Sequence, residues 1–204
     1  MVRPLPELRF FTDVMPGRKG EILDAAVAIF ADKGYDAGSM REIAERVGVT
    51  EPALYRHFTS KEDLFLALIA GVGTRVQTEV GPLLDSATPG NIAETLEAVF
   101  TNRTRAARTY LPVIRTVIVA SLHNQAFRTA YRQNVSDPIF ARLERLVPAV
   151  DAYYGIDASA EETAERVRAL ISVFVGQFIT AFVFDDEPMP LTETFMRVMG
   201  WATR

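Results

Sequence analysis

Apolar residues recur at three- and four-residue intervals along most of the chain, while strand-like alternation is scarce and Gly and Pro fall mainly between the periodic stretches. That pattern predicts an all-helical protein. Ile22, Ala25, Ala26, Ile29 and Phe30 make one stripe at helical spacing, so a helix is expected over about 18–33, stopped by Gly34 at its C′ position. Ser39 stands three residues before Glu42, a capping box that opens a short helix with Ile43 and Val47 on one face. Gly48 interrupts it. Thr50 and Glu51 open a second short helix that ends near His57, with Pro52 in its first turn, where a missing N–H does no harm. Ser60 then caps a longer helix over about 60–80, with Asp63 three residues on. Leu64, Phe65, Leu68, Ile69 and Val72 form its buried stripe.

Punctuation divides the remainder into helices over about 91–108, from Pro112 to Leu122, 125–147 with a kink at Pro138, 160–184 and 191–202. Residues 1–17 hold Pro4, Pro6 and Pro16 and lack helical periodicity, which predicts a flexible arm. Two short helices hinged at a glycine form a helix-turn-helix pattern. Ile43, Val47, Val49, Leu54 and Phe58 suffice for a small shared core. This leaves Thr50, Glu51, Ala53, Tyr55, Arg56 and His57 outside, as hydrogen-bonding or methyl-bearing groups at the spacing a helix would present to base edges in a major groove.

Composition narrows the chemistry. With 204 residues, 49% hydrophobic and 24% charged, the chain suits one or two globular domains. It has no cysteine, which removes disulfides, thiolate metal sites and cysteine nucleophiles. Its two histidines, His57 and His123, stand far apart in sequence, so no metal or other cofactor is expected. The enzyme fingerprints G-x-S-x-G, H-E-x-x-H, the P-loop and the dinucleotide motif are missing. The net charge is −4, so any nucleic-acid binding must rest on local arrangement rather than on bulk field. The first 17 residues lack the apolar run of an export signal, and the charge-free stretch from Ala169 to Phe184 is too short to span a bilayer, so a cytoplasmic protein is expected.

Residues 17–69 closely resemble the DNA-binding domain of the TetR/AcrR family of transcriptional regulators. The resemblance rests on three runs: Ala26, Phe30, Lys33, Gly34 and Tyr35; Ile43, Ala44, Val47, Gly48 and Val49; and Leu54, Tyr55, His57, Phe58, Lys61 and Leu64. It implies a helix-turn-helix domain over 18–64 and a helical effector-binding and dimerisation domain over 65–204. It also implies roles. Ser39 and Arg41 would touch phosphate or a groove edge, and Thr50, Glu51, Pro52 and Ala53 would occupy reading positions. Tyr55, His57 and Lys61 would clamp the backbone. Glu51 departs mildly from that pattern. Either it accepts a hydrogen bond from a cytosine amine, or it is a solvated charge at a helix N-terminus.

The stretch 169–184 is apolar all round and must be covered on every face. A second copy of the chain is the expected cover, with Ile171, Phe174, Val175, Phe178, Phe182, Phe195 and Met199 at a homodimer interface. Arg103 falls on the apolar stripe of the helix over 91–108, and Arg115 is the lone charge from Leu111 to Leu122. Each would need an acidic partner from the chain or an anionic effector. Phe100, Tyr110, His123, Phe127, Tyr131 and Gln177 complete the expected effector-lining set. The expectation is a dimeric, ligand-responsive DNA-binding regulator, a repressor released from a pseudo-palindromic operator by a small, largely apolar effector. The alternative is a helical protein-interaction adaptor without sequence-specific DNA binding.

Overall fold

A computed structural model describes the backbone of residues 9–183 and 191–201, with the side chains at 104–109, 177–183, 191 and 194 left aside. Regular structure among the described residues is helical: α1 (Arg18–Ala37), α2 (Met40–Val47), α3 (Glu51–Tyr55), α4 (Lys61–Asp85), α5 (Ile92–His123), α6 (Gln125–Tyr131), α7 (Asp137–Tyr153), α8 (Ala160–Val183) and α9 (Leu191–Val198). The chain forms two compact units. One takes the residues up to Val76 together with Tyr110–Ser136; the other takes Gln77–Thr109 and the chain from Asp137 onward. The division expected at residue 64 is therefore not where the compact units part.

The reason lies in the aromatic core of the first unit. Phe65 of α4 and Phe127 of α6 meet with ring centroids 4.5 Å apart, and Tyr35 lies edge-on to both, at 4.8 and 5.0 Å. Phe30 of α1 joins them at 5.6 Å from Phe65. Phe30, Phe65 and Phe127 are buried, with Ile22, Leu23, Ile43, Leu54, Leu64, Leu68 and Ile69 around them. Each such side chain is worth about 1.5–3 kcal/mol of burial, so α6 is held to α1 and α4 despite its distance in sequence.

Three expected elements differ. The segment from Phe10 is not a free arm. Phe10 and Phe11 are buried, and Phe11 N–H donates to the Asp24 carboxylate at 2.8 Å. The helices expected on either side of Thr109 are one helix, α5, bent at Tyr110 (φ −115°, ψ 22°) two residues before Pro112. The helix expected over 125–147 is interrupted by a π-turn over Arg132–Ser136. The ring of Pro138 would press on the carbonyl of Asn134, and a wider turn relieves that clash.

In the second unit, Val80 and Leu84 of α4 are buried, as are Ile92 and Val99 of α5, Val147 and Val150 of α7 and Val167 and Leu170 of α8. Arg142 of α7 donates to Gln77 at 2.7 Å and to Asp85 at 2.9 Å, tying α7 to α4. Asp151, 2% exposed, accepts two hydrogen bonds from Arg166 of α8 and one from the Trp201 indole at 2.6 Å. A buried carboxylate is tolerable only when it is matched in this way.

Candidate nucleic-acid interface

The two short helices are set by their ends. Ser39 N–H and Oγ–H both donate to the Glu42 carboxylate, and Glu42 N–H returns a bond to Ser39 Oγ. Lys33 of α1 donates to the same carboxylate. The Lys33 ammonium, then the Ser39 donors, hold the Glu42 carboxyl down at about 2. Gly48 ends α2 in the left-handed conformation (φ 75°, ψ 35°), and the chain reverses as Val49 N–H bonds back to Ala44 O at 3.0 Å. A side chain there would cost roughly 1–2 kcal/mol, which is why glycine makes this turn.

Thr50 caps α3 with its backbone, its carbonyl accepting from Ala53 and Leu54. Leu54 and Phe58 are buried, as is Ile43 of α2. Their burial turns the other side of α3 outward. Thr50, Pro52, Tyr55, Arg56 and His57 are exposed, Tyr55 at 44%, while Glu51 and Ala53 are half-buried. Arg41 is exposed and pairs with Glu45 at 2.9 Å. Arg56, to which the resemblance gave no role, lies within this face beside Tyr55 and His57. Its signal in the sequence was position alone, since it precedes the buried Phe58 by two residues.

Two of the residues expected to contact DNA have partners within the chain. Ser39 is engaged in the capping box. Lys61 Nζ donates to the carbonyls of Tyr35, Asp36 and Gly38 at 2.9, 3.0 and 3.1 Å and lies 4.6 Å from the centre of the Tyr35 ring. An ammonium has three donors, and here all three close the carbonyls at the end of α1 and in the turn into α2. Within the chain, Lys61 thus acts as a cap.

The residues of the expected effector set fall in both compact units. Phe100 faces Phe174 with ring centroids 6.1 Å apart, and Arg103 pairs with Glu79 at 3.7 Å, all four in the second unit. Tyr110, Arg115, His123, Phe127 and Tyr131 belong to the first unit. Arg115 is exposed rather than buried, so it needs no internal partner, and His123 is exposed as well. Phe127 lies in the aromatic core and has no surface to offer a ligand. The Gln177 side chain lies outside the described residues. Of the residues expected at a dimer interface, Val175 is 46% exposed and Ile171 and Phe174 are half-buried. Phe195 and Met199 are corrected to the core of their own unit, being 3% and 2% exposed. The side chains of Phe178 and Phe182 lie outside the described residues.

A capped helix, a glycine turn and a second helix with one face free define a helix-turn-helix protein. Residues 22–68 match the model of the bacterial regulatory proteins of the tetR family. The activator FasR of Mycolicibacterium smegmatis is 52% identical over 52 residues, which are 26% of this chain and 24% of that protein. The repressor KstR2 of Mycobacterium tuberculosis is 35% identical over 83 residues, 41% of this chain and 40% of the other. The matches thus span about a quarter and two-fifths of these curated relatives. FadR of Bacillus subtilis, solved in complex with stearoyl-CoA, has the same fold, with a TM-score of 0.67 at 19% identity, covering 89% of this chain and 97% of that one. Residues 22–68 are thus a DNA-binding domain of the tetR-family kind, and the two curated relatives that share it are regulators of transcription. No helix among the described residues is long and apolar enough to cross a membrane.

Proposed function

We propose that the protein is a ligand-responsive, cytoplasmic transcriptional repressor that grips a two-fold operator as a homodimer. The observation that carries this reading is the outward face of α3, where Thr50, Pro52, Tyr55, Arg56 and His57 stand free beside the capped end of α2. The Thr50 hydroxyl and the Arg56 guanidinium supply hydrogen bonds to base edges, and Pro52 and Ala53 offer apolar contact to a thymine methyl. Tyr55, His57 and the exposed Arg41 reach phosphates, which position the helix without reading sequence. Two copies place two such helices about one turn of DNA apart, roughly 34–36 Å. The second copy covers the α8 face that carries Ile171, Phe174 and Val175.

The effector site belongs to the second unit. Gln77 Nε2 and Asn102 Oδ1 are buried there without a hydrogen-bond partner. The Arg142 guanidinium donates to Gln77 Oε1 and so fixes the amide with its nitrogen left over. A polar group on an otherwise apolar molecule would satisfy either atom. The stearoyl-CoA bound by the Bacillus subtilis FadR supports a ligand-holding role for this fold. Release of DNA by 100-fold requires about 2.7 kcal/mol of differential affinity, within ordinary allosteric coupling. FasR is an activator and KstR2 a repressor; the repressor reading follows KstR2, whose match covers more of both chains.

A gel shift against the DNA upstream of the chain's own gene, at two salt concentrations, tests the reading. Steep salt dependence and a retarded species of two chains per site are expected. Weak, sequence-blind binding, or single chains at every dilution in the ultracentrifuge, would overturn it in favour of an adaptor.

A further inference from the structure

Residues 10–13, within the segment that the sequence marks as a loose arm, are bound on both sides within the first unit. On one side lies α1. The Asp24 carboxylate, 8% exposed, accepts from Phe11 N–H at 2.8 Å, Thr12 N–H at 3.0 Å and Thr12 Oγ–H at 2.6 Å. On the other side lies α4. Arg75 donates to the Phe10 carbonyl at 2.8 Å and to the Tyr110 hydroxyl at 2.8 Å, and Asp13 lies 3.9 Å from the same guanidinium. The guanidinium also lies against both rings, 4.7 Å from the Phe10 ring centre and 4.4 Å from that of Tyr110. Phe10 and Tyr110 meet edge-on at 4.8 Å.

The seat is written into the sequence. A methyl group at Gly71 of α4 would fall 2.7 Å from the Phe11 ring, and one at Gly20 of α1 would fall 2.2 Å from the Met15 carbonyl oxygen. Either helix therefore admits this segment only because glycine stands there. The third participant, Tyr110, is the residue at which α5 leaves helical geometry. Pro112 lacks the N–H that would tie it to the preceding turn, so the bend is a point where the helix yields at low cost.

We propose that residues 10–15 are a strap coupling the bend of α5 at Tyr110, through the Arg75 clasp, to the seat of α1 on Asp24, and that this strap transmits the state of α5 to the DNA-binding helices. The coupling runs through groups that touch in series: Tyr110 to Arg75, Arg75 to Phe10, and Phe11 and Thr12 to Asp24. Straightening α5 at Tyr110 withdraws the hydroxyl and the ring face from Arg75. Arg75 then loses the geometry in which it holds the Phe10 carbonyl, and the strap lifts from α1. The regulatory meaning of this relay rests on the function proposed above; the relay itself does not.

Hydrogen exchange of the full-length protein, read by mass spectrometry on peptides covering residues 10–16, tests it without DNA or effector. Tyr110→Phe keeps the ring and removes the hydroxyl that receives Arg75. It is expected to speed exchange at the Phe11 and Thr12 amides about tenfold, although neither amide touches Tyr110. Asp24→Ala should do the same from the other end. The double variant should exchange no faster than the faster single variant, because one strap opens either way. Gly71→Ala, which displaces the Phe11 ring, provides a second route to the same signature if Asp24→Ala folds poorly. Unchanged exchange in Tyr110→Phe, or single-variant effects that multiply to about a hundredfold in the double variant, would overturn the strap and leave the proposed function standing. A gel shift without specific binding would do the reverse. With both intact, Tyr110→Phe should weaken binding to the upstream DNA severalfold.

Discussion

At the scale of single residues, Lys61 and Arg56 divide the work that a charge count would assign to both. Lys61 has its three donors on backbone carbonyls at the end of α1 and the turn that follows, whereas Arg56 is exposed beside the buried Leu54–Phe58 side of α3. Lys61→Met is therefore expected to lower the melting temperature and leave the salt dependence of DNA binding unchanged. Arg56→Ala should leave stability within about 0.5 kcal/mol and cost about 1–3 kcal/mol of discrimination at the base pair its guanidinium reads. Gel shifts at a series of salt concentrations and on altered base pairs, beside thermal unfolding, separate the two. Glu42 carries a pH signature. Its folded pKa of about 2 lies below the ordinary 4.5, so the unfolded chain takes up this proton first. The stability it contributes is full above pH 4.5 and is lost as pH falls toward 2. Urea midpoints measured across that window should drop in the native chain, and the drop should flatten in Glu42→Gln.

At the scale of elements, the glycine hinge and the helix caps were open to sequence reasoning because both are local. Ser39 with Glu42, and Gly48 with its positive φ, stand as their spacing predicts. Gly48→Ala should cost roughly 1–2 kcal/mol, which differential scanning calorimetry would register as a fall of several degrees. What the spacing hid was non-local. The arm over 1–17 looks idle because proline breaks its periodicity, yet Phe10 and Phe11 find partners in Tyr110 and Asp24 that no window of neighbouring residues contains. The bend at Tyr110 misled in the opposite way: Pro112 reads as the start of a new helix, but a proline near a bend can be carried within a longer one. Arg115 looked like a buried charge because its neighbours are apolar. Ile118, Val119 and Leu122 are exposed along with it, so that stretch of α5 keeps a solvent face.

At the scale of the whole molecule, two compact units share helices α4 and α5, and each unit has its own means of holding together. The second depends on Asp151, matched by Arg166 and by the indole of Trp201, the chain's one tryptophan. Asp151→Ala removes the acceptor of the buried Trp201 indole and leaves the half-buried Arg166 with the Met199 carbonyl, at a cost of about 1–3 kcal/mol. Denaturation followed by tryptophan fluorescence should then shift to lower urea, while helix content followed by circular dichroism retains a later transition from the first unit. Coincident transitions would mean that the units unfold as one.

The aromatic cluster of Tyr35, Phe65 and Phe127 bears on how such a protein can be divided or recombined. A gene fragment ending at Val76 would encode every residue of α1, α2 and α3 yet omit Phe127, baring ring surface on Tyr35 and Phe65 to water and inviting aggregation. A reading head from a relative could be grafted here only by exchanging Tyr110–Ser136 along with the amino-terminal portion, so inheritance of a new operator preference requires cuts at three positions in the gene rather than one.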